Sequence, residues 1–364
     1  MAALKQREPL QIWWRGRAKE AGYPNVEAVA ADFGLKPFRL RQIYRAATKE
    51  LVDSFERMTV LPVALRNKLA EKMRLASGAV RVEATSGDGQ TTKAVIEFAD
   101  GKDVEAVLMR HRLSRTTACI SSQAGCALKC DFCATGQMGF VRHLTALEIF
   151  DQATHIARRA RAEERALTNL VYMGMGEPFL NYDNVMDSVA LLNDRDGFNL
   201  GARHITISTA GVVPGIEKFT REGVQVNLAI SLHAPDDVLR TQLMPINKKW
   251  PIAKLMQAVD DYAAATRRKV FFEYVMLSGV NDRPADARQL ADLLGGPLHH
   301  VNLIPYNATD APLRRSSLAA MRRFQEILRE RGVPSTIRHT MGDDIAAACG
   351  QLRVDQQRSA ARAS

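Results

Sequence analysis

All five cysteines of this 364-residue chain fall at positions 119, 126, 130, 133 and 349, so four of them lie within fifteen residues. A thiolate is both a soft metal ligand and a strong nucleophile. Such crowding in a long chain points to metal or redox chemistry rather than to a disulfide scaffold. In the stretch GCALKCDFC the thiols of Cys126, Cys130 and Cys133 stand at i, i+4 and i+7, and three ligands leave one coordination position vacant. Structural zinc closes its shell with four ligands, and a three-ligand catalytic zinc usually includes histidine, for which His143 is the nearest downstream candidate. Three thiolates on a four-iron cluster instead leave one iron open to a substrate or cofactor.

Downstream, VYMGMGEP sets Gly174, Gly176 and Glu177 at the end of a strand-like run. The glycines would let backbone come close to a ligand, and Glu177 could accept from an ammonium group; a tight turn with a solvated carboxylate is the plainer alternative. Cys119 sits inside TTACIS, where a thiol commonly serves as a small apolar side chain. Cys349 follows DDIAAA and precedes a glycine whose turn could present it. Each reads singly as structural, but the pair beside a metal site suggests thiol chemistry on a substrate.

The elements that must position these residues follow from periodicity. VEAVAADFGL, KPFRLRQIYRAATKE and LPVALRNKLAEKM carry apolar residues at three- and four-residue spacing and predict a helical domain over 1–77. From Gly78 the period becomes two: VRVEAT, TKAVIEF and VEAVLM, divided by Gly87-Asp88-Gly89 and Asp100-Gly101, predict a small antiparallel β segment over 78–115. Over 116–352, the strand-like runs TTACIS, NLVYMG, HITIS, VQVNLAIS, KVFFEYVML and HVNLIPY alternate with helical ones such as LTALEIFDQATHIARRA, NVMDSVALLN, IAKLMQAVDDYAAA and DARQLADLL. LAAMRRFQEILRERG and STIRHT close the series. This is the pattern of an α/β fold with parallel strands covered by helices, its ligands held beyond the C-terminal strand ends. The tail at 353–364 is expected to be disordered.

Composition is that of a globular protein, with 46% hydrophobic and 25% charged residues and no apolar run long enough to span a bilayer. The N-terminus mixes charge into every apolar stretch and so lacks the centre of a secretory signal, which leaves a cytoplasmic address and no membrane partner as the expectation. Fifty Lys and Arg against forty Asp and Glu give a formal net charge of +10, which favours a polyanionic partner. The excess is spread along the chain, as in Arg158 to Arg161 and Arg267 to Lys269, and much of it reads as solvated helix surface.

CxxxCxxC on a loop after the first strand of a βα series is the arrangement of the radical SAM superfamily, in which the free iron chelates S-adenosylmethionine (SAM). More closely, the chain resembles the radical SAM RNA methyltransferases that methylate an adenine carbon, the RlmN and Cfr group. The resemblance runs from LKPFRLRQIYRAATKE through ACISSQAGCALKCDFCATGQMGF, MGMGEPFLN, ITISTAGVVPGI, NLAISLHAP, LMPINKKWPI, VMLSGVND and VNLIPYN to IRHTMGDDIAAACGQL. It implies a partial (βα)6 radical SAM barrel, with the helical domain as an RNA-binding accessory and Cys349 on a C-terminal catalytic segment. It also implies a [4Fe-4S] cluster on Cys126, Cys130 and Cys133, with SAM contacted by Gly176, Glu177, Ser208, Ser231, Leu232, His233 and Asn307.

In the family's scheme the residue matched by Cys349 takes a methyl from one SAM, and a second SAM yields a 5′-deoxyadenosyl radical that draws hydrogen from it. The resulting carbon radical adds to adenine, a carbon too poor a nucleophile for simple displacement. Cys119 matches the residue that attacks Cys349 and leaves a disulfide, and Glu105 matches a proton acceptor. The implied partners are 23S rRNA, with tRNA as a second substrate in some members, and a one-electron donor such as flavodoxin; a monomer is expected. Pro178 and Pro305 favour the RlmN type, which methylates C2, over the Cfr type, which methylates C8. Met341 departs from the arginine usual in the RlmN type, which leaves C8 methylation as the alternative. A non-catalytic RNA-binding protein with a metal site is a further alternative, disfavoured because all five thiols are present.

Overall fold

The computed structural model describes residues 7–112 and 114–352, so the tail at 353–364 lies outside them. Among the described residues four helices come first: Pro9–Glu20 (α1), Val26–Phe33 (α2), Pro37–Thr48 (α3) and Val63–Lys72 (α4). The last three are those that periodicity predicts, whereas α1 carries no clear apolar stripe. Its buried face is Trp13, Trp14, Arg17 and Ala18. An arginine stands where a hydrophobic residue would have revealed the helix. Arg17 is 1% exposed and its Nη2 meets both carboxylate oxygens of Asp151, at 2.5 and 2.8 Å. Beside it Trp13 packs edge-on to Trp14 and Tyr44.

Three antiparallel strands follow, Gly78–Thr85 (β1), Thr91–Phe98 (β2) and Asp103–Arg110 (β3). They do not form a sheet of their own. β3 pairs antiparallel with Thr116–Cys119 (β4), placing Val107 opposite Cys119, so the segment is one edge of a sheet of ten strands among the described residues. Next come a short hairpin of Gln123–Gly125 (β5) and Phe140–His143 (β6), whose loop contains the helix Ala134–Met138 (α5), and then the helix Ala146–Arg161 (α6). α6 starts in a capping box, Thr145 accepting from Glu148 N–H and the Glu148 carboxylate from Thr145 N–H.

From there strand and helix alternate. The order is Asn169–Tyr172 (β7), Tyr182–Asn193 (α7), Ile205–Thr209 (β8), Val213–Glu222 (α8), Asn227–Ser231 (β9), Asp237–Leu243 (α9) and Ile252–Thr266 (α10). Val270–Met276 (β10), Pro284–Leu293 (α11), His299–Pro305 (β11), Leu318–Glu330 (α12) and Ser335–Ile337 (β12) complete it. Strands β4, β7, β8, β9, β10, β11 and β12 are neighbours in that order and parallel throughout. Periodicity alone does not pick out α8, because Pro214 and Gly215 resemble a turn. Proline here opens the helix, where its missing N–H costs nothing.

The sheet is strongly curled. Five strand spacings separate β7 from β12, about 24 Å in a flat sheet. Yet Arg338, just past β12, brings Nη1 within 3.9 Å of the sulfur of Met173, just past β7. Only a sheet bent into an incomplete barrel permits that contact. Among the described residues no helix is long and apolar enough to cross a membrane.

The Arg17–Asp151 pair fastens α1 to α6, and Asp151 also accepts from the backbone and hydroxyl of Ser77, each at 2.7 Å. Asp151→Ala leaves the buried guanidinium with only the partly exposed Glu20, at 2.8 Å, as a carboxylate partner, so urea unfolding followed by circular dichroism should show a loss of about 3 kcal/mol, the low end for a broken buried pair.

Candidate active site

The residues singled out in the sequence gather at the C-terminal ends of the parallel strands. Cys119 ends β4, and Gly174, Gly176 and Glu177 follow β7. Ser208 lies on β8, Ser231 to His233 on and after β9, and Asn307 after β11. Cys126, Cys130 and Cys133 occupy the loop of the β5–β6 hairpin, the first two buried and the third partly so. All five cysteines are free thiols.

The cysteine loop has little secondary structure of its own and is held from outside. Gln123 on β5 accepts through Oε1 from the Glu177 N–H at 2.7 Å, joining the hairpin to the loop after β7. A Cβ on Gly176 would stand 2.5 Å from the Cβ of Gln123, and its φ of +96° is unfavourable for other residues. Gly174 abuts the backbone of Ile120 in the same way. The close approach that these glycines permit is therefore to the chain itself, whereas the sequence suggested an approach to a ligand.

Glu177 is buried and accepts from the Thr209 hydroxyl at 2.7 Å, the Ala210 N–H at 2.7 Å and the Phe179 N–H at 2.9 Å. Burial raises its pKa, and those three bonds work against the rise. The alternative of a solvated carboxylate fails. A carboxylate offers about four acceptor positions, so with three filled it has room for one more donor.

His233 is a non-glycine residue in the left-handed region, φ +61°. Its strain is held by three bonds: the ring Nδ1 accepts from Val275 N–H at 3.0 Å, the backbone N–H donates to Glu273 O, and the carbonyl accepts from Asn281. Its ring meets Phe132 edge-on at 4.7 Å, so this strand end braces the cysteine loop between Cys130 and Cys133. Arg240 was not selected from the sequence, and it joins the same group. It is fully buried and donates to the carbonyls of Ala210, Ser231 and Leu232.

Burial pushes Cys126 up to about 12, raises Cys130 well above the ordinary thiol range, and raises Cys133 as well. The three feel one another's charge, since Cys133 and Cys126 both add to the rise at Cys130. Among the described residues no three His, Cys, Asp or Glu side chains converge on a single metal ion. His143, the zinc candidate, instead accepts from the Gln123 amide at 3.0 Å and packs on Phe140. Thiols that are buried, mutually coupled and flanked at Cys130 by the Arg240 cation suit ligands to separate irons of one anionic cluster.

The C-terminal segment folds back onto this loop. Ala134 N–H donates to Gly350 O at 2.8 Å, and the Thr135 hydroxyl to Leu352 O at 2.6 Å. Asn307 donates to the carbonyl of Cys349 at 3.1 Å and accepts from Arg315. Cys349 is exposed, and lies within electrostatic reach of both Cys133 and Cys119. Burial pushes Cys119 up to about 12, opposed by Met173 N–H and Arg338. Glu105, on β3, is buried and paired with Lys93 at 2.9 Å. Since Val107 lies opposite Cys119, the two-residue repeat sets Glu105 on the sheet face of Cys119.

Burial drives His233 down to about 3, with the Arg240 charge acting in the same direction. An unfolded histidine titrates near 6.5, so below that pH the unfolded chain takes the proton first and stability falls. The penalty is absent above pH 6.5 and amounts to about 2 kcal/mol at pH 5. Asparagine tolerates the left-handed region, so His233→Asn should lose about 2 kcal/mol less than the unchanged protein between pH 7 and 5, as read by urea unfolding.

Comparison with known proteins places these features among relatives. Residues 120–294 match the profile of the radical SAM superfamily, and residues 22–75 that of the ribosomal RNA large subunit methyltransferase N-terminal domain. A probable dual-specificity RNA methyltransferase RlmN of Chloroflexus aurantiacus is 49% identical over 335 residues, covering 88% of each chain. One from Geobacillus thermodenitrificans is 44% identical over 356 residues, covering 95% of this chain and 97% of its own. The crystal structure of a radical SAM methyltransferase from Sphaerobacter thermophilus superposes with a TM-score of 0.88 at 48% identity, over 91% of this chain and 97% of that one.

Proposed function

Because the chain belongs to the RlmN family of the radical SAM superfamily, we propose that it methylates C2 of an adenosine in the peptidyl transferase centre of 23S rRNA. tRNA, beside the anticodon, is the second substrate. The observation that carries this reading is the setting of Cys349, an exposed thiol coupled to a cysteine of the metal loop on one side and to a buried strand thiol on the other. A binding protein has no need of that relay.

In this reading Cys126, Cys130 and Cys133 hold a [4Fe-4S] cluster, and SAM lies among Gly176, Glu177, Ser208, Ser231, Leu232, His233 and Asn307. When bound, the pair supplies a carbon-centred radical able to take hydrogen from a methyl group. The protein's own residues do the rest. The thiolate of Cys349 would attack the methyl carbon of one SAM, an S–C bond forming to Cys349 as the sulfonium S–C bond breaks and S-adenosylhomocysteine leaves, and its exposure would let that carbon meet both a second SAM and the base. Once the new carbon bond has formed, the adduct must lose one electron and one proton: Glu105 would take the proton, and the electron would pass to a one-electron acceptor such as the oxidised cluster. Cys119 then attacks the sulfur of Cys349: an S–S bond forms, the S–C bond breaks, and its electron pair goes to the carbon, which gains a proton and becomes the methyl group. A flavodoxin-like protein supplies electrons from outside.

RNA as substrate fits the net charge of +10 and the helices ahead of the sheet, which serve as an RNA-binding accessory domain over 1–77. The target base must leave its stack to reach the strand ends. Two readings compete, C8 methylation and RNA binding without catalysis.

Anaerobic reconstitution should give a brown, oxygen-sensitive protein. Nucleosides from 23S rRNA and tRNA treated with it should contain 2-methyladenosine by mass spectrometry. Finding 8-methyladenosine would transfer the assignment to C8, and absence of both with an intact cluster would leave only binding. Cys119→Ala should accumulate an RNA adduct on Cys349 and reduce turnover to background.

A further inference from the structure

Arg240 lies on α9 with no exposed surface, and its donors meet only neutral acceptors. These are Ala210 O at 2.7 Å, Asn247 Oδ1 at 2.8 Å, and Ser231 O and Leu232 O at 3.2 Å. Among the described residues no carboxylate stands within ion-pair distance of it. Asp237 is the acidic group it feels, and that carboxylate is already bonded to Asn247 Nδ2 and Ile252 N–H. Burying a cation without a partner costs several kcal/mol, which carbonyl dipoles offset only in part. The missing anion has an obvious place. The last turn of α9 accepts from the cysteine loop, Asp131 N–H to Leu243 O at 3.1 Å, and Cys130 packs in one apolar cluster with Leu243 and Met244.

We infer that Arg240 is a positioning residue for the cluster held by Cys126, Cys130 and Cys133, and that its fixed charge raises the cluster's reduction potential. The inference rests on the reading of those thiols as iron ligands. Burial lowers Arg240 to about 10, with Cys130 and Asp237 opposing the fall, so the guanidinium stays charged at working pH. A reduced cluster carries one more negative charge than an oxidised one, so a nearby cation favours reduction; net charge is a recognised control of such potentials.

The test is a potentiometric titration of the full-length, anaerobically reconstituted protein, monitored by electron paramagnetic resonance, with iron and sulfide content measured alongside. Arg240→Gln keeps donors at the site but removes the charge, and its midpoint should fall below that of the unchanged protein, while Arg240→Lys should remain near it. Asp237→Asn removes the opposing charge and keeps every acceptor of Arg240, so its midpoint should rise. Equal midpoints for the glutamine variant and the unchanged protein overturn the inference, as do equal shifts in the glutamine and lysine variants. If the glutamine variant fails to fold, an unmoved midpoint in Asp237→Asn overturns it instead. Weaker SAM binding in Arg240→Gln without a change of potential also overturns it, assigning the charge to the SAM carboxylate. Failure of the unchanged protein to take up iron and sulfide is a distinct result, and removes the iron-ligand reading itself.

Discussion

Glu177 joins three loops at the mouth of the sheet. Its carboxylate takes hydrogen bonds from the loops after β7 and β8, and its own N–H donates to Gln123 at the base of the cysteine hairpin. A carboxylate this deeply buried is tolerable only when such donors are present, and each charge-assisted bond contributes about 1.5–3 kcal/mol. The geometry of the thiols depends on this anchor, because the hairpin has only two short strands to define it. Arg240 does the corresponding work for β8 and β9 with the opposite charge. The two groups tie the strand ends together, and the cysteine loop lies against them.

The segment carrying Cys349 is held differently, by many weak contacts from separate parts of the chain. The turn between β1 and β2 reaches it through Gly87 N–H to Asp344, and Lys93 on β2 through the carbonyl of Ala346. Asn307 and Arg315 hold its outer side, and the start of α5 its end. The antiparallel strands therefore do more than extend the sheet. They supply Glu105 and Lys93 to the face that Cys119 shares, and they give the C-terminal segment a wall to rest on.

Much of this was legible in the sequence, and the boundary is informative. Spacing revealed the cysteine loop, and the alternation of strand and helix revealed the parallel sheet, because both are local patterns. Arg17, Arg240 and Arg338 were not visible, since an arginine in a sequence reads as surface until its acceptors are known, and those lie far away in the chain. Helix α1 is hidden in the sequence for the same reason, with Arg17 on its buried face. The sequence marks Gly174 and Gly176 as points of close approach to a ligand, and only the folded backbone reveals that what they approach is the segment 120–123 leading from β4 into β5.

Two cysteines that look alike in sequence occupy opposed environments. Cys349 is exposed, whereas burial keeps Cys119 protonated at neutral pH. A thiol attacks as its thiolate, so Cys119 is a poor competitor for any methyl donor and is inert toward Cys349 in the resting state. In the proposed reaction that inertness protects the carbon on Cys349 until it has been transferred. Arg338 lies near Cys119 and Cys349 and pairs with Glu273 at 3.4 Å, so the cation needed to stabilise a thiolate is already in place. In that proposed reaction burial would set the order of events: the open thiol would react first, and the closed one only when the adduct offers it a sulfur to attack.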